Sequence, residues 1–287
     1  MRIRQKVVIS LLLRAPTKPN RTQLMKWLFL LKQEGGLGES LAFYDFLPYR
    51  YGPFSFEAYN ELDALTRSGI IGGAPLRVRP EAADTARVAE SSLPAAIRQS
   101  IDQILRDYGP WSTKRLLASV YARYPWYASR SELQANPGGK PAASPAVYTI
   151  GYEGRTLDGF LDCLLKSGIE TLIDVRSNPI SRKYGFVGNA LRLLTAKIGV
   201  RYVHMSDLGI SSELRKDIVA PGARQRLLDH YECEMLPGRG ESVRQVSQLL
   251  TDGASALMCF EAHSQDCHRG RLAKRLVAIT GLPLVDL

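Results

Sequence analysis

Chemically reactive side chains concentrate in one segment near the C-terminus, residues 259–271. The segment carries thiols, imidazoles, guanidiniums and carboxylates, and the candidates for chemistry among them are Cys259, Glu261, His263, Cys267, His268, Arg269 and Arg271. The apolar run 256–260 leads into it and predicts a buried strand, and the amphipathic run 272–279 predicts a helix after it. Ligands of open α/β sheets bind beyond the carboxyl ends of strands, where helices begin. We therefore expect a functional site in this segment.

Cys267 is the candidate nucleophile, and we group its neighbour His268 with it as a candidate catalytic residue. A thiol at a helix N-terminus has a lowered pKa, and Arg269 would further stabilise the thiolate. Cys259 lies inside the predicted strand, where a free cysteine packs as a small hydrophobe. The sequence therefore predicts a reactive Cys267 and a structural Cys259.

Asp174 and Glu261 are the candidate acid–base residues. Asp174 ends another predicted strand and is followed by Arg176, an arrangement that suits a ligand-organising carboxylate beside an anion clamp. An ion pair that merely closes the loop is an equal alternative. Two carboxylates at one sheet edge would suit general acid–base catalysis or a divalent cation.

Zinc is not predicted from the spacing of the possible ligands. Cys259, His263, Cys267 and His268 include the right residue types, but no paired C-x-x-C knuckle is present. Adjacent residues such as Cys267 and His268 are also expected to face different directions. The site residues predicted here thus include no metal ligand, and the cofactor is left open, with a divalent cation compatible.

A phosphate- and base-binding surface is predicted from aromatic and basic residues in the loops after the strands. The candidate anion- or nucleic-acid-binding residues are Tyr152, Arg176, Lys183, Arg269 and Arg271. Tyr184, Phe186 and Arg182 lie in the same loops. Ordinary loop packing is the competing interpretation.

Strands and helices alternate through the C-terminal part of the chain, residues 147–287. The predicted strands are 147–150, 171–175, 200–205, 256–260 and 284–287, and the predicted helices are 157–165, 188–198, 223–235, 242–250 and 272–279. Such alternation predicts a three-layer α/β domain with a mainly parallel sheet.

The same residues resemble the domain-of-unknown-function family number 488 of bacteria and archaea. The resemblance is carried by 149–152, by 172–179, by 198–202 with 208–209, and by 257–261 with 267–269. It implies that the motifs of one family run in order through the whole C-terminal domain, and it implies no particular activity. Many members of the family carry a serine at or beside the position of Glu153.

A stretch rich in Pro, Gly, Ser and Ala, residues 131–146, predicts a linker that follows a mainly helical domain at 1–130. The pattern of this domain predicts a winged-helix-like fold, with several helices and one short hairpin. The helices are predicted at 3–13, from a cap at Thr22 to Gly35, and at 56–68, 94–108 and 112–124, and the hairpin at 70–79. The segment 49–71 also resembles the Panacea-type domain of toxin–antitoxin and phage-related proteins. That resemblance implies a DNA-binding or protein-neutralising module.

Charge is unevenly divided along the chain, whose net charge is +10. The first thirty residues contain seven Lys and Arg side chains and no acid, which predicts contact with a polyanion such as DNA or RNA. A solvated basic surface is the alternative.

The four scattered cysteines suit a reducing cytoplasm, and no apolar run approaches the roughly 18 residues of a membrane span.

Together these patterns predict a nucleic-acid-associated protein. DNA or RNA would bind the N-terminal domain, and the C-terminal domain would bind or process a nucleotide, base or strand, in bacterial stress response or phage defence. A rhodanese-like, thiol-dependent sulfurtransferase and a non-enzymatic ligand-sensing regulator are the alternatives. A protein partner of the N-terminal domain stays open, as does the oligomeric state.

Overall fold

The computed structural model describes residues 1–40, 43–134, 139, 141–215 and 222–287. The chain divides into two compact units, Met1–Gly139 and Lys140–Leu287. Within the predicted linker 131–146, residues 135–138 and 140 lie outside the described residues. No helix in the described ranges is long and apolar enough to cross a membrane.

The N-terminal unit is mainly helical, as predicted. Its helices are α1 (Ile3–Arg14), α2 (Arg21–Gln33), α3 (Leu37–Ser40), α4 (Phe56–Arg67), α5 (Ala83–Ser91), α6 (Ala95–Tyr108), α7 (Thr113–Arg123) and α8 (Pro125–Ala128). Two antiparallel hairpins lie among them, β1 (Leu47–Tyr49) with β2 (Gly52–Phe54) and β3 (Ile71–Gly72) with β4 (Arg77–Val78).

Local capping explains where these helices begin. The Ser55 hydroxyl accepts a hydrogen bond from Ala58 N at 3.1 Å and so caps α4. The predicted cap of α2 at Thr22 is wrong, because Asn20, two residues earlier, is the cap and forms a reciprocal capping box with Gln23. Helix α5 was not predicted, since its buried side chains are only Ala86 and Ala89, too small to form a recognisable apolar stripe.

All three tryptophans of the chain lie in the N-terminal unit, and Trp27 is completely buried in its core. The neighbouring Lys26 is buried as well, and its Nζ donates to the Pro53 carbonyl at 2.7 Å. Burial without an acidic partner lowers the pKa of Lys26 to about 7.

Basic side chains of the first thirty residues, which contain no acid, form ion pairs with acidic side chains elsewhere in the same unit. Arg4 pairs with Glu57 at 2.8 Å and Arg21 with Asp63 at 2.9 Å, and Arg14 pairs with Glu90 and, at 2.6 Å, with Asp102. The fold therefore neutralises part of a charge excess that looks unopposed along the sequence.

The C-terminal unit is an α/β domain with a five-stranded parallel sheet, as predicted. Its strands are β5 (Val147–Gly151), β6 (Thr171–Asp174), β7 (Arg201–His204), β8 (Ser255–Cys259) and β9 (Leu284–Asp286). Its helices are α9 (Leu157–Lys166), α10 (Gly188–Lys197), α11 (Ala223–His230), α12 (Gly240–Asp252) and α13 (His268–Thr280). The strands lie in the order β7-β6-β8-β5-β9, and every pairing is parallel.

The chain changes direction across the sheet between β5 and β8. From β5 it crosses β8 to reach β6, whereas from β8 it crosses β5 to reach β9. Right-handed crossovers therefore place α9 and α13 on opposite faces of the sheet. The chain accordingly leaves the ends of β5 and β8 toward opposite faces. Such a switch point is where open α/β sheets bind their ligands.

Candidate functional site

The loops after β5 and β8 are held together directly above the switch point. The Phe260 carbonyl accepts hydrogen bonds from Tyr152 N at 3.1 Å and from Glu153 N at 2.8 Å. Gly151 permits this approach, because a Cβ at that position would lie 1.9 Å from the Glu261 carbonyl oxygen. The close crossing of these two loops fixes the direction in which Glu261 leaves the strand.

Asp174 and Arg176 form a buried ion pair at the end of β6. Arg176 donates from Nε to Oδ1 at 2.8 Å and from Nη2 to Oδ2 at 2.5 Å, and the Tyr202 hydroxyl donates to Oδ2 at 2.6 Å. Burial disfavours the charged guanidinium, but Asp174 outweighs it and raises the pKa of Arg176. Of the two arrangements open from the sequence, the structure shows the loop-closing ion pair.

Aromatic rings cover the same loop. Tyr152 stacks on Phe186 at a centroid distance of 4.4 Å, and Phe260 packs edge-on against Tyr152 at 5.2 Å. Tyr152 and Phe186 are buried, so their faces are occupied by the protein, whereas Phe260 and Tyr184 are each 43% exposed. The aromatic surface available to a ligand is therefore smaller than the sequence indicates.

The other predicted anion-binding residues also contact the protein itself. Lys183 Nζ donates to the Tyr152 carbonyl at 3.1 Å. Arg269 is almost completely buried and donates to the carbonyls of Glu261 at 2.6 Å and Ala262 at 3.0 Å. Arg271 pairs with Glu232 at 2.8 Å and Asp229 at 3.1 Å. These side chains position the loops, and their role in anion binding stays a prediction.

Two thiols, an imidazole and a carboxylate meet where β8 ends and α13 begins. The His268 Nδ1 atom lies 3.8 Å from Cys267 Sγ and 3.9 Å from Cys259 Sγ. His268 Nε2 is 3.0 Å from the Val175 carbonyl, which can only accept, so this nitrogen carries the proton. All three side chains are buried, and the Glu261 carboxylate lies beside both sulfurs.

The ionisation of this cluster differs from the sequence-based expectation. Burial, together with the neighbouring Cys259 sulfur, raises the pKa of the Cys267 thiol well above its ordinary value. The predicted lowering is therefore wrong, because desolvation outweighs the dipole of α13 at a side chain that is 2% exposed. For Glu261, burial would raise the pKa, but hydrogen bonds from Cys267, its own N–H and Cys259, with the charge of His268, lower it.

Asp174 and Glu261 have different partners, and their role as a carboxylate pair stays a prediction. Asp174 contacts Arg176 and Tyr202, whereas Glu261 faces the thiols. Cys267 and His268, expected to face apart, instead face a common point. The reason is that Cys267 caps α13 with extended backbone angles, φ −137° and ψ 146°, so the two side chains do not follow helical spacing.

A groove of about 390 Å³ opens at the carboxyl ends of β6 and β7. Its lining includes polar side chains that the site prediction did not contain: Asn178, Asn189, Arg192 and Tyr202. His204 also lines it and lies 2.8 Å, through Nε2, from the Arg176 carbonyl, which leaves Nδ1 as an acceptor. The sequence signal that could have found this groove is the position of His204 at the end of the predicted strand 200–205.

No curated protein and no solved structure matches the chain. No family match covers the N-terminal unit, so the Panacea-type and winged-helix resemblance of that unit stays a prediction. Residues 156–276, which cover most of the C-terminal α/β domain, match the family described as "Domain of unknown function DUF488".

Proposed function

We propose that this protein associates with nucleic acid and that its C-terminal domain binds a nucleotide or a single strand in the groove beyond β6 and β7. The observation that carries the proposal is the groove itself, which combines an exposed guanidinium, amides and an imidazole at the carboxyl edge of a parallel sheet. Phosphate, sugar and base require this mixture of a cation, donors and acceptors.

Each part of a nucleotide has a suitable partner in the groove. Arg192 is exposed on the first half of α10 and would bind phosphate. Asn178 and Asn189 would donate to and accept from base edges. Ile180 and Val187 are 69% and 41% exposed and would give a base an apolar surface to pack against.

The N-terminal unit supplies the second half of the proposal. We propose that its helices and the β3–β4 hairpin form a winged-helix-like DNA- or RNA-binding module. Arg77 lies exposed on this hairpin, and the basic composition of the unit favours a polyanion. The setting that we propose, bacterial stress response or phage defence, rests on the Panacea-like segment 49–71.

Binding of labelled single- and double-stranded DNA and RNA to the full chain, by fluorescence anisotropy at two salt concentrations, tests the proposal. Arg192→Ala should weaken binding of a single strand and reduce the slope of log affinity against log salt by about 1, the loss expected for one phosphate contact. The matched control is Arg275→Ala, which removes an exposed arginine from α13.

The control variant should bind as the wild type does. Binding by no polymer at the lower salt concentration would overturn the proposal as a whole. Equal effects of Arg192→Ala and Arg275→Ala would overturn the assignment of the groove.

A further inference from the structure

We propose that Cys259, Cys267 and His268 bind a thiophilic divalent metal, with Zn²⁺ the best match, and that Glu261 supplies the fourth ligand. The proposal is independent of nucleic-acid binding. It is carried by the convergence of Cys259, Cys267 and His268 where β8 ends and α13 begins, with the Glu261 carboxylate beside both thiols.

The spacing of the donor atoms suits a tetrahedral ion. The three atoms Cys259 Sγ, Cys267 Sγ and a His268 ring nitrogen all lie within 4.8 Å of one another, and the two sulfur–Nδ1 distances are 3.9 and 3.8 Å. Zinc bonds of about 2.3 Å to sulfur and 2.0 Å to nitrogen, at tetrahedral angles, place such atoms roughly 3.6 Å apart. An ion therefore requires the donor atoms to move closer together, by a few tenths of an ångström for each sulfur–Nδ1 pair and by up to about 1.2 Å for the pair that lies farthest apart.

His268 is already oriented as a metal ligand. Its Nε2–H donates to the Val175 carbonyl, which leaves the lone pair of Nδ1 available to a metal, 3.8 Å from Cys267 Sγ and 3.9 Å from Cys259 Sγ. Metal-binding histidines characteristically donate their other ring N–H to a carbonyl or a carboxylate, which fixes the tautomer and the ring.

Glu261 carries the second independent observation. The hydrogen bonds that lower the pKa of its carboxyl group leave one buried oxygen, Oε2, without a partner among the described residues. An unsatisfied buried carboxylate oxygen is costly, and coordination to a cation removes that cost. The buried Arg269 donates to the Glu261 carbonyl at 2.6 Å and so fixes the backbone from which the Glu261 side chain extends.

The charges of the site also balance. Two thiolates and one carboxylate around a divalent ion leave a net charge of −1. Arg269, 1% exposed, donates to Thr149 Oγ1 and to two carbonyls, and its buried positive charge would offset that excess. Sulfur and imidazole ligands select zinc over calcium or magnesium, which prefer oxygen.

The test is the metal content of the full chain, purified without chelator and measured by inductively coupled plasma mass spectrometry. We expect about one zinc per chain in the wild type and in Cys233→Ser, whose thiol is exposed on another segment. Cys267→Ser and His268→Gln should purify with little zinc, and Glu261→Gln with less than the wild type. Cobalt replacement should give the intense visible bands of a tetrahedral site and sulfur-to-cobalt charge transfer, weakened in Cys267→Ser.

Failure of the folded wild-type chain to bind either zinc or cobalt would overturn the proposal. So would retention of full metal content by Cys267→Ser. A wild-type level in Glu261→Gln alone would remove Glu261 from the ligand set. Where a variant folds poorly, addition of zinc to the metal-free wild-type chain decides instead: binding should raise its melting temperature, and an unchanged melting temperature would contradict the site.

Discussion

Asp174 and Arg176 close a two-point ion pair across a single intervening residue, and that residue, Val175, presents the carbonyl that orients His268. Val175 N is itself bound to the Met258 carbonyl of β8 at 3.1 Å. The pair therefore does more than close a loop. It fixes the backbone against which the imidazole of α13 is positioned.

Removing the charge of Asp174 should unfold or loosen this edge of the sheet. Asp174→Asn leaves the Arg176 guanidinium buried without its counter-ion, which typically costs about 3–5 kcal/mol. Tyr202→Phe removes only one hydrogen bond to the same carboxylate and should cost about 1.5–3 kcal/mol. Denaturant unfolding of the C-terminal unit, followed by far-UV circular dichroism, measures both.

The two substitutions share one carboxylate, so their effects should not add. The double variant should lose less free energy of unfolding than the sum of the single losses. Additive losses, or equal losses from the two single variants, would contradict the role given to the ion pair.

Gly151→Ala should disturb the site through a steric effect. The added Cβ would lie 1.9 Å from the Glu261 carbonyl oxygen, and the backbone there cannot yield without moving the loop after β8. Overpacking of this kind costs about 1–3 kcal/mol or more. The matched control is Gly154→Ala, which has φ +75° and no atom within 4 Å, so it pays only the conformational cost of about 1–2 kcal/mol.

Metal content separates these two glycine variants more sharply than stability does. If the zinc site exists, Gly151→Ala should lose metal because Glu261 is displaced, whereas Gly154→Ala should retain it. Identical metal content and identical stability in the two variants would show that the loops tolerate separation.

The stability of the N-terminal unit should rise with pH through Lys26. The pKa of Lys26 is about 7 in the folded unit and ordinarily 10.5, so between these values the unfolded chain binds a proton that the folded chain does not. The free energy of unfolding therefore gains about 1.4 kcal/mol per pH unit from this group between pH 7 and 10. Below pH 7 Lys26 is protonated in the folded unit as well, so the full cost of burying its charge is present and the free energy of unfolding no longer depends on pH through this group.

Lys26→Met should abolish this pH-dependent contribution, and Lys18→Met, at an exposed position of the same unit, should leave it in place. Urea unfolding followed by tryptophan fluorescence is suitable because all three tryptophans lie in this unit. Equal pH slopes for the wild type and Lys26→Met would mean that the ammonium stays charged in the core.

The paired and the exposed basic side chains of the N-terminal unit should behave differently. Arg14→Gln with Arg21→Gln removes groups already bound to Asp102 and Asp63, so it should lower stability modestly and change nucleic-acid affinity little. Lys18→Gln with Lys114→Gln removes exposed charges and should weaken binding and reduce its salt dependence. Anisotropy titrations of both double variants measure this, and a larger affinity loss from the arginine pair would contradict it.

The fold was predictable because its signals are local. The central strands β5, β6 and β8 are mostly apolar and buried, and each connection carries a helix, as in the passage from β8 to α13. The site was predictable only in part, because its partners are set by tertiary contacts. Nothing near Asp174 in the sequence shows that Tyr202 will donate to it, and only the extended cap geometry at Cys267 reveals that its thiol and His268 converge.

The central position of β8 also bears on how the protein is made. A ribosome releases β5, β6 and β7 before β8, yet β5 and β6 share no ladder, since β8 (Ser255–Cys259) lies between them. Nascent chains therefore carry β5 unpaired, with the β6–β7 pair open on one side, until the last part of the domain emerges. Such exposed strand edges favour aggregation, so we expect synthesis of this domain to depend on chaperones more than its size alone would require.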